Sequence, residues 1–141
     1  MGRLFWICLL VASVPATALA SLDCHVSAKE LQPGAELIAQ KLTAAVAKNN
    51  RRQVRALLTD PVVVRLGGKK RLMPWKEIDA RFDEVFGPRV REAVTAGKLR
   101  RSGYTWVLGD KAVFIAFHQH GKECRLEIDR VFEDRPAENA R

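Results

Sequence analysis

The hydrophobic residues of this chain keep two different periods, and they come in a fixed order. Leu37, Ile38, Leu42, Ala45 and Val46 fall three or four apart, as do Ile78, Phe82, Val85 and Phe86. That spacing lines one face of an α-helix. Beyond residue 102 the period drops to two. Along the last segment Cys124, Leu126, Ile128 and Phe132 are set against Arg125, Glu127 and Asp129, so one strand face meets a core and the other meets water. Helices followed by strands predict an α+β fold, with N-terminal helices packed on a curved antiparallel sheet. With 141 residues, that pattern excludes a multi-domain enzyme, a solenoid and a polytopic membrane protein.

Turn residues place the boundaries. Gln32-Pro33-Gly34 reads as a turn, with a helix from Ala35 to a stop at Asn49-Asn50. A shorter helix fits 51–58, burying Val54, Leu57 and Leu58, and Asp60-Pro61 breaks it. A strand follows at 62–66 and ends in Gly67-Gly68. Pro74 suits the first turn of the next helix. Gly87-Pro88 closes that helix and opens another at 89–96, capped by Gly97. Three strands are expected at 102–108, 111–118 and 123–132, with a tight turn at Gly109-Asp110. The polar tail at 133–141 is expected to fray.

The first twenty residues have the form of a secretory signal. Met1-Gly2-Arg3 is a basic start, an apolar run follows at 4–14, and Ala18-Leu19-Ala20 gives the small-x-small cleavage pattern. The run is about eleven residues, short of the roughly 20 that span a bilayer. Asp23 before Cys24 and Ser21 three before it fit lipidation poorly. Cleavage after Ala20 therefore predicts a single domain at 21–132 in the periplasm or the medium, with no transmembrane span after processing.

Cys8 leaves with the signal. Cys24 and Cys124 remain, and two cysteines in an exported chain predict one disulfide. The rival is a metal site from Cys24, His25, His118 and His120. That spacing matches no standard ligand motif, so neither a metal nor a cofactor is expected.

The order helix, short helix, strand, helix and meander resembles the NTF2-like (nuclear-transport-factor-2-like), cystatin-like α+β cone, in particular a group of small exported bacterial proteins. The resemblance covers 49–132. It is carried by Asn50-Arg51-Arg52-Gln53-Val54-Arg55-Ala56-Leu57-Leu58, by the strand and glycines at 62–68, by Ala80-Arg81-Phe82-Asp83-Glu84-Val85-Phe86-Gly87-Pro88-Arg89-Val90-Arg91, and by the turn at Leu108-Gly109-Asp110. It implies a pocket between helices and concave sheet, and it allows a homodimer through the exposed sheet face. Enzymes that look like this use carboxylates and a tyrosine for proton abstraction beside a carbonyl. On that basis Tyr104, Trp106, His118 and Asp129 are the candidate catalytic residues of a small-molecule isomerase or dehydratase. Asp129, however, shares the solvent-side phase of Arg125 and Glu127, where a carboxylate makes a poor base near neutrality. Fold does not decide activity.

Charge gives the other reading. Twenty-four Lys and Arg against 16 Asp and Glu make a net +8, and losing Arg3 with the signal leaves +7. An exported basic protein meets acidic proteins, glycans or lipid headgroups rather than genomic nucleic acid. The clusters Lys69-Lys70-Arg71 and Lys98-x-Arg100-Arg101 are the candidate basic surface, and Trp75 is the aromatic nearest to one of them. The preferred expectation is a non-catalytic exported binding protein of the immunity or inhibitor type. The enzyme is the alternative.

Overall fold

The computed structural model describes residues 24–134. The segment at 1–20, expected as a secretory signal, and the tail beyond residue 134 lie outside the described residues. The chain runs α1 (Ala28–Ala47), α2 (Arg51–Leu57), β1 (Leu58–Leu66), β2 (Lys69–Met73), α3 (Trp75–Ala80), α4 (Phe82–Val85), α5 (Pro88–Ala96), β3 (Leu99–Ser102), β4 (Thr105–Leu108), β5 (Val113–His120) and β6 (Glu123–Phe132). The fold is α+β. Its six strands form one open mixed sheet in the order β2-β1-β6-β5-β4-β3. All neighbours are antiparallel except β1 and β6, which run parallel.

The helices cover one face of this sheet. Leu31, Ala35, Leu42, Val54, Ile78, Phe82, Phe86 and Val90 pack against Val62, Val64, Trp106, Ile115, Ile128 and Val131 in a single core. The stripe read from the sequence is therefore buried, although Arg81 leaves helical geometry and divides it between α3 and α4.

β1 begins at Leu58 and runs through Asp60-Pro61, four residues ahead of the strand expected at 62–66, because Leu58 already pairs with Ile128 of β6. Four other boundaries also differ, each for a physical reason. Pro33-Gly34 is not a turn but lies inside α1. Ser27 caps the helix by accepting from the Glu30 amide, so the helix begins seven residues before Ala35. A proline there costs one intrahelical bond, while Leu31 and Ala35 around it are fully buried. Gly34 has a packing role: a Cβ there would sit 3.0 Å from Leu126 Cδ1. Secondly, β2 follows Gly67 and Gly68, whose φ of 58° and 79° suit a two-residue hairpin turn. Four of its five residues are exposed, so no apolar alternation marked it. Thirdly, the segment expected as one strand at 102–108 is a hairpin. Gly103, at φ 59°, turns β3 into β4. Lastly, β5 starts two residues late, because Lys111 takes a positive φ of 55° and extends the turn.

The alternation along β6 holds only as far as Ile128. Ile115 pairs with Ile128 and Phe114 with Arg130, which leaves Asp129 as the extra residue of a bulge. A bulge shifts the phase of everything after it. Val131 takes the core position, and Phe132 turns to the opposite face, where its ring meets Phe114 edge-on at 5.2 Å.

The start of the tail is held rather than frayed. Glu133 accepts from the amides of Arg89 and Val90 and so caps α5. Asp134 bonds Arg65, which is only 6% exposed and lies 4.3 Å from the centroid of Phe132. Burial pushes the Asp134 carboxyl up. The bonds from Arg65 and the Gly68 amide, with the Arg65 charge, outweigh that and hold it below its ordinary pKa.

Candidate functional site

The sheet separates the four residues that the sequence offered as a catalytic set. Tyr104 sits at the tip of the β3–β4 hairpin, 51% exposed, with its ring stacked on Phe117 at 6.4 Å and its hydroxyl donating to the Val26 carbonyl. Trp106 is wholly buried on the helix side, and its indole N–H donates to Gln32 Oε1 at 2.6 Å. Phe117 and Leu126 are cross-strand partners on that same side. Strand alternation therefore turns His118 away from it. On the far face His118 Nε2 donates to Asp129 Oδ2 at 3.0 Å, and Arg130 donates to the other carboxylate oxygen at 3.2 Å. His120 and Glu127 form a second histidine–carboxylate pair beside it. The structure thus brings His118 and Asp129 together and keeps both from Tyr104 and Trp106. Asp129 is half-buried and paired, not freely solvated, because the bulge sets it aside from the ladder.

Cys24 and Cys124 form a disulfide, with Cα atoms 5.3 Å apart. It ties the residues before α1 to the start of β6 and takes up both thiols that a thiolate–imidazole metal site would use. Among the described residues, no group of three or more His, Cys, Asp or Glu gathers as metal ligands.

The two basic clusters occupy opposite edges of the sheet and cannot form one patch. On β2, Arg71 bonds Glu77, and Lys70 Nζ lies 5.2 Å from the Phe132 ring centroid. On the β3 side, Lys98, Arg100 and Arg101 are exposed, and none of them pairs with a carboxylate among the described residues. Arg101 donates only to the Gly103 carbonyl, beside Tyr104. The exposed aromatic therefore accompanies β3. Trp75, near the other cluster, is half-buried, with Arg55 at 5.8 Å over its ring and its indole N–H bonded to the Thr59 carbonyl. Its bulk completes the α3 contact with β1 and is not offered to a partner.

One site was missed by sequence reasoning. A cavity of about 420 Å³ lies between α1, the end of α2 and the first half of β6. Leu31, Leu37, Ile38, Leu57 and Leu126 make it apolar, while Glu30, Lys41, Arg125 and Glu127 stand at its margin. The signal available was Gly34, a glycine in phase with a buried helical stripe, which marks a close approach of backbone to a neighbour. None of the four catalytic candidates lines this cavity. Comparison with family models, with curated proteins and with solved structures finds no match.

Proposed function

We propose that this chain is an exported, non-catalytic binding protein of NTF2-like architecture that grips an acidic partner along its β3 edge. The observation that carries this is the state of the cations there. Lys98, Arg100 and Arg101 are exposed, lack a carboxylate among the described residues, and stand next to the exposed ring of Tyr104. Arginine and tyrosine are the residues that interfaces favour as anchors, and unpaired rim cations steer an anionic partner. An immunity or inhibitor protein acting on an acidic secreted protein is the partner type these features suit.

Support for export comes from the signal-like segment at 1–20 and from the disulfide, a bond that persists in oxidising compartments. No helix among the described residues is long and apolar enough to cross a membrane. Support for NTF2-like architecture comes from the strand order, in which a β1–β2 hairpin joins a later meander through a parallel β1–β6 pair. The enzyme alternative loses its geometric basis, since Tyr104 and His118 lie on opposite faces of the sheet.

The test compares two charge reversals on immobilised polyglutamate, heparin and anionic vesicles at low and high salt. One variant carries Lys98→Glu, Arg100→Glu and Arg101→Glu; the other carries Lys69→Glu, Lys70→Glu and Arg71→Glu. Salt-sensitive retention on polyglutamate is expected for the wild type, with retention lost in the first variant and largely kept in the second. Equal loss in both variants would leave only non-specific net charge. Preference for heparin or vesicles would replace the protein partner by a glycan or a lipid surface.

A further inference from the structure

The cavity beside β6 has a feature that its volume alone does not convey. From Ile128 onward β6 is paired on both sides, but at 123–127 it pairs only with β5. The reason lies in the connection above it. The chain leaves α2 at Leu57 and enters β1 at once, and Leu58 is the first residue opposite β6, at Ile128. Among the described residues nothing hydrogen-bonds the backbone of 123–127 on that side. Three residues of that free edge, Arg125, Leu126 and Glu127, line the cavity, about 10 Å of strand at roughly 3.3 Å per residue.

The facing wall is longer. Glu30, Leu31, Gly34, Leu37, Ile38 and Lys41 of α1 all line the cavity. From Glu30 to Lys41 is eleven steps of about 1.5 Å, or roughly 17 Å. Along this wall the chemistry changes from acidic, through apolar, to basic. Glu30 and Lys41 make no ion pair among the described residues, whereas Arg125 is taken by Glu123 and Glu127 by His120. The unmatched charges of the groove are therefore one of each sign, at its two ends. The apolar floor between them is Leu31 and Leu126, brought close by the missing side chain of Gly34.

We propose that this groove binds an extended peptide segment of about five residues, its central three added as a strand on the free edge of β6 at 125–127. One apolar side chain of the peptide enters between Leu31 and Leu126, a basic residue faces Glu30, and an acidic residue faces Lys41. Main-chain pairing supplies affinity in such strand addition, and alternate side-chain pockets supply specificity. A small amphiphile would use the floor but leave the strand edge unpaired. The site shares no residue with the β3 edge and stands whether or not that edge has an acidic partner.

The experiment uses the purified chain with its disulfide intact, labelled with nitrogen-15. The probes are two blocked heptapeptides, Ser-Lys-Val-Leu-Val-Glu-Ser and its charge-exchanged form Ser-Glu-Val-Leu-Val-Lys-Ser. Each is also made with an N-methyl group on the central leucine, which removes strand hydrogen bonding and keeps the side chain. Saturable shifts of the 123–127 amides, and slower hydrogen exchange there, are expected with one charge order preferred. N-methylation and the plugging variant Ala56→Trp should each weaken binding about tenfold or more. Ala56 is exposed, so circular dichroism is expected to show an unchanged fold. Exchanging the wall charges with Glu30→Lys and Lys41→Glu together should reverse which peptide is preferred. Equal binding of the N-methylated peptides would overturn the proposal. Shifts at 123–127 from decanoate but from neither peptide would overturn it in favour of an amphiphile. Protection of those amides without any peptide would overturn it in favour of the chain's own residues before Cys24.

Discussion

At one edge of the sheet Arg71 is bonded to Glu77 and Lys70 rests over Phe132; at the other, Lys98, Arg100 and Arg101 are exposed and meet no carboxylate among the described residues. Both edges carry the cations that discourage one sheet from pairing with another. They differ in what lies behind them. Behind β2 the chain folds its own end onto the sheet: Phe132 and Asp134 enclose Arg65, and Arg89 donates to the carbonyls of Phe132 and Asp134. Behind β3, Leu99 packs against the core, but among the described residues no carboxylate reaches the cations. A run of basic residues is thus structural or available according to its neighbours, and the two runs are nearly alike as sequence.

The contrast predicts an ordered series of effects. Phe132→Ala should be the most costly, about 3–5 kcal/mol in urea unfolding, because the ring is nearly buried and supports Phe114, Arg65 and Lys70 together. A loss below about 1 kcal/mol would mean that the β2 side is no better consolidated than β3.

Next comes the acid limb. The folded Asp134 carboxyl titrates below its ordinary value, so its contribution is complete above the unfolded pKa near 3.9 and is lost as pH falls through the folded one. Stability should therefore drop on acidification below about pH 4. In Asp134→Asn the protein should be weaker at neutrality and the acid slope shallower. Some slope should remain from Glu84, which a hydrogen bond from Arg81 also holds below the carboxylate norm. An unchanged slope would remove Asp134 from the account.

The smallest effects separate the edges themselves. Arg71→Ala gives up an exposed pair worth up to about 1 kcal/mol, and Arg100→Ala should stay within about 0.5 kcal/mol. If Arg100→Ala were the costlier, the β3 cations would have an internal role and would not be free for a partner.

The helical stripes, the cap at Gly97 and the last strand as far as Ile128 could be read from the sequence because burial there follows a clean period. What could not be read shares a cause: local signals overridden by distant contacts. Pro33-Gly34 looks like a turn until Leu126 arrives 92 residues later to occupy the space a side chain would need. β2 and β3 are edge strands with few buried residues, so they leave no alternation to see. The bulge at Asp129 has no sequence mark, and it decides which face Phe132 joins. For the candidate site, the types Tyr104, His118 and Asp129 were visible, but the face of the sheet each would occupy depended on a hairpin and a bulge. The groove along β6 left only Gly34 as a mark, because its extent is set by where β1 does not reach.

The position of β6 bears on how the chain can be made. β6 is the last strand in sequence but lies third in the sheet, between β1 and β5. A chain emerging N-terminus first has a β1–β2 hairpin on one side and a β3–β4–β5 meander on the other, with no ladder joining them until residue 128 appears. The parallel pairing with β1 and the bond of Cys24 to Cys124 wait for the same few residues. Long-range closure of this kind comes late. A chain ending between β5 and β6 would have two half-sheets with no ladder between them, and such incomplete sheets expose unpaired strand edges.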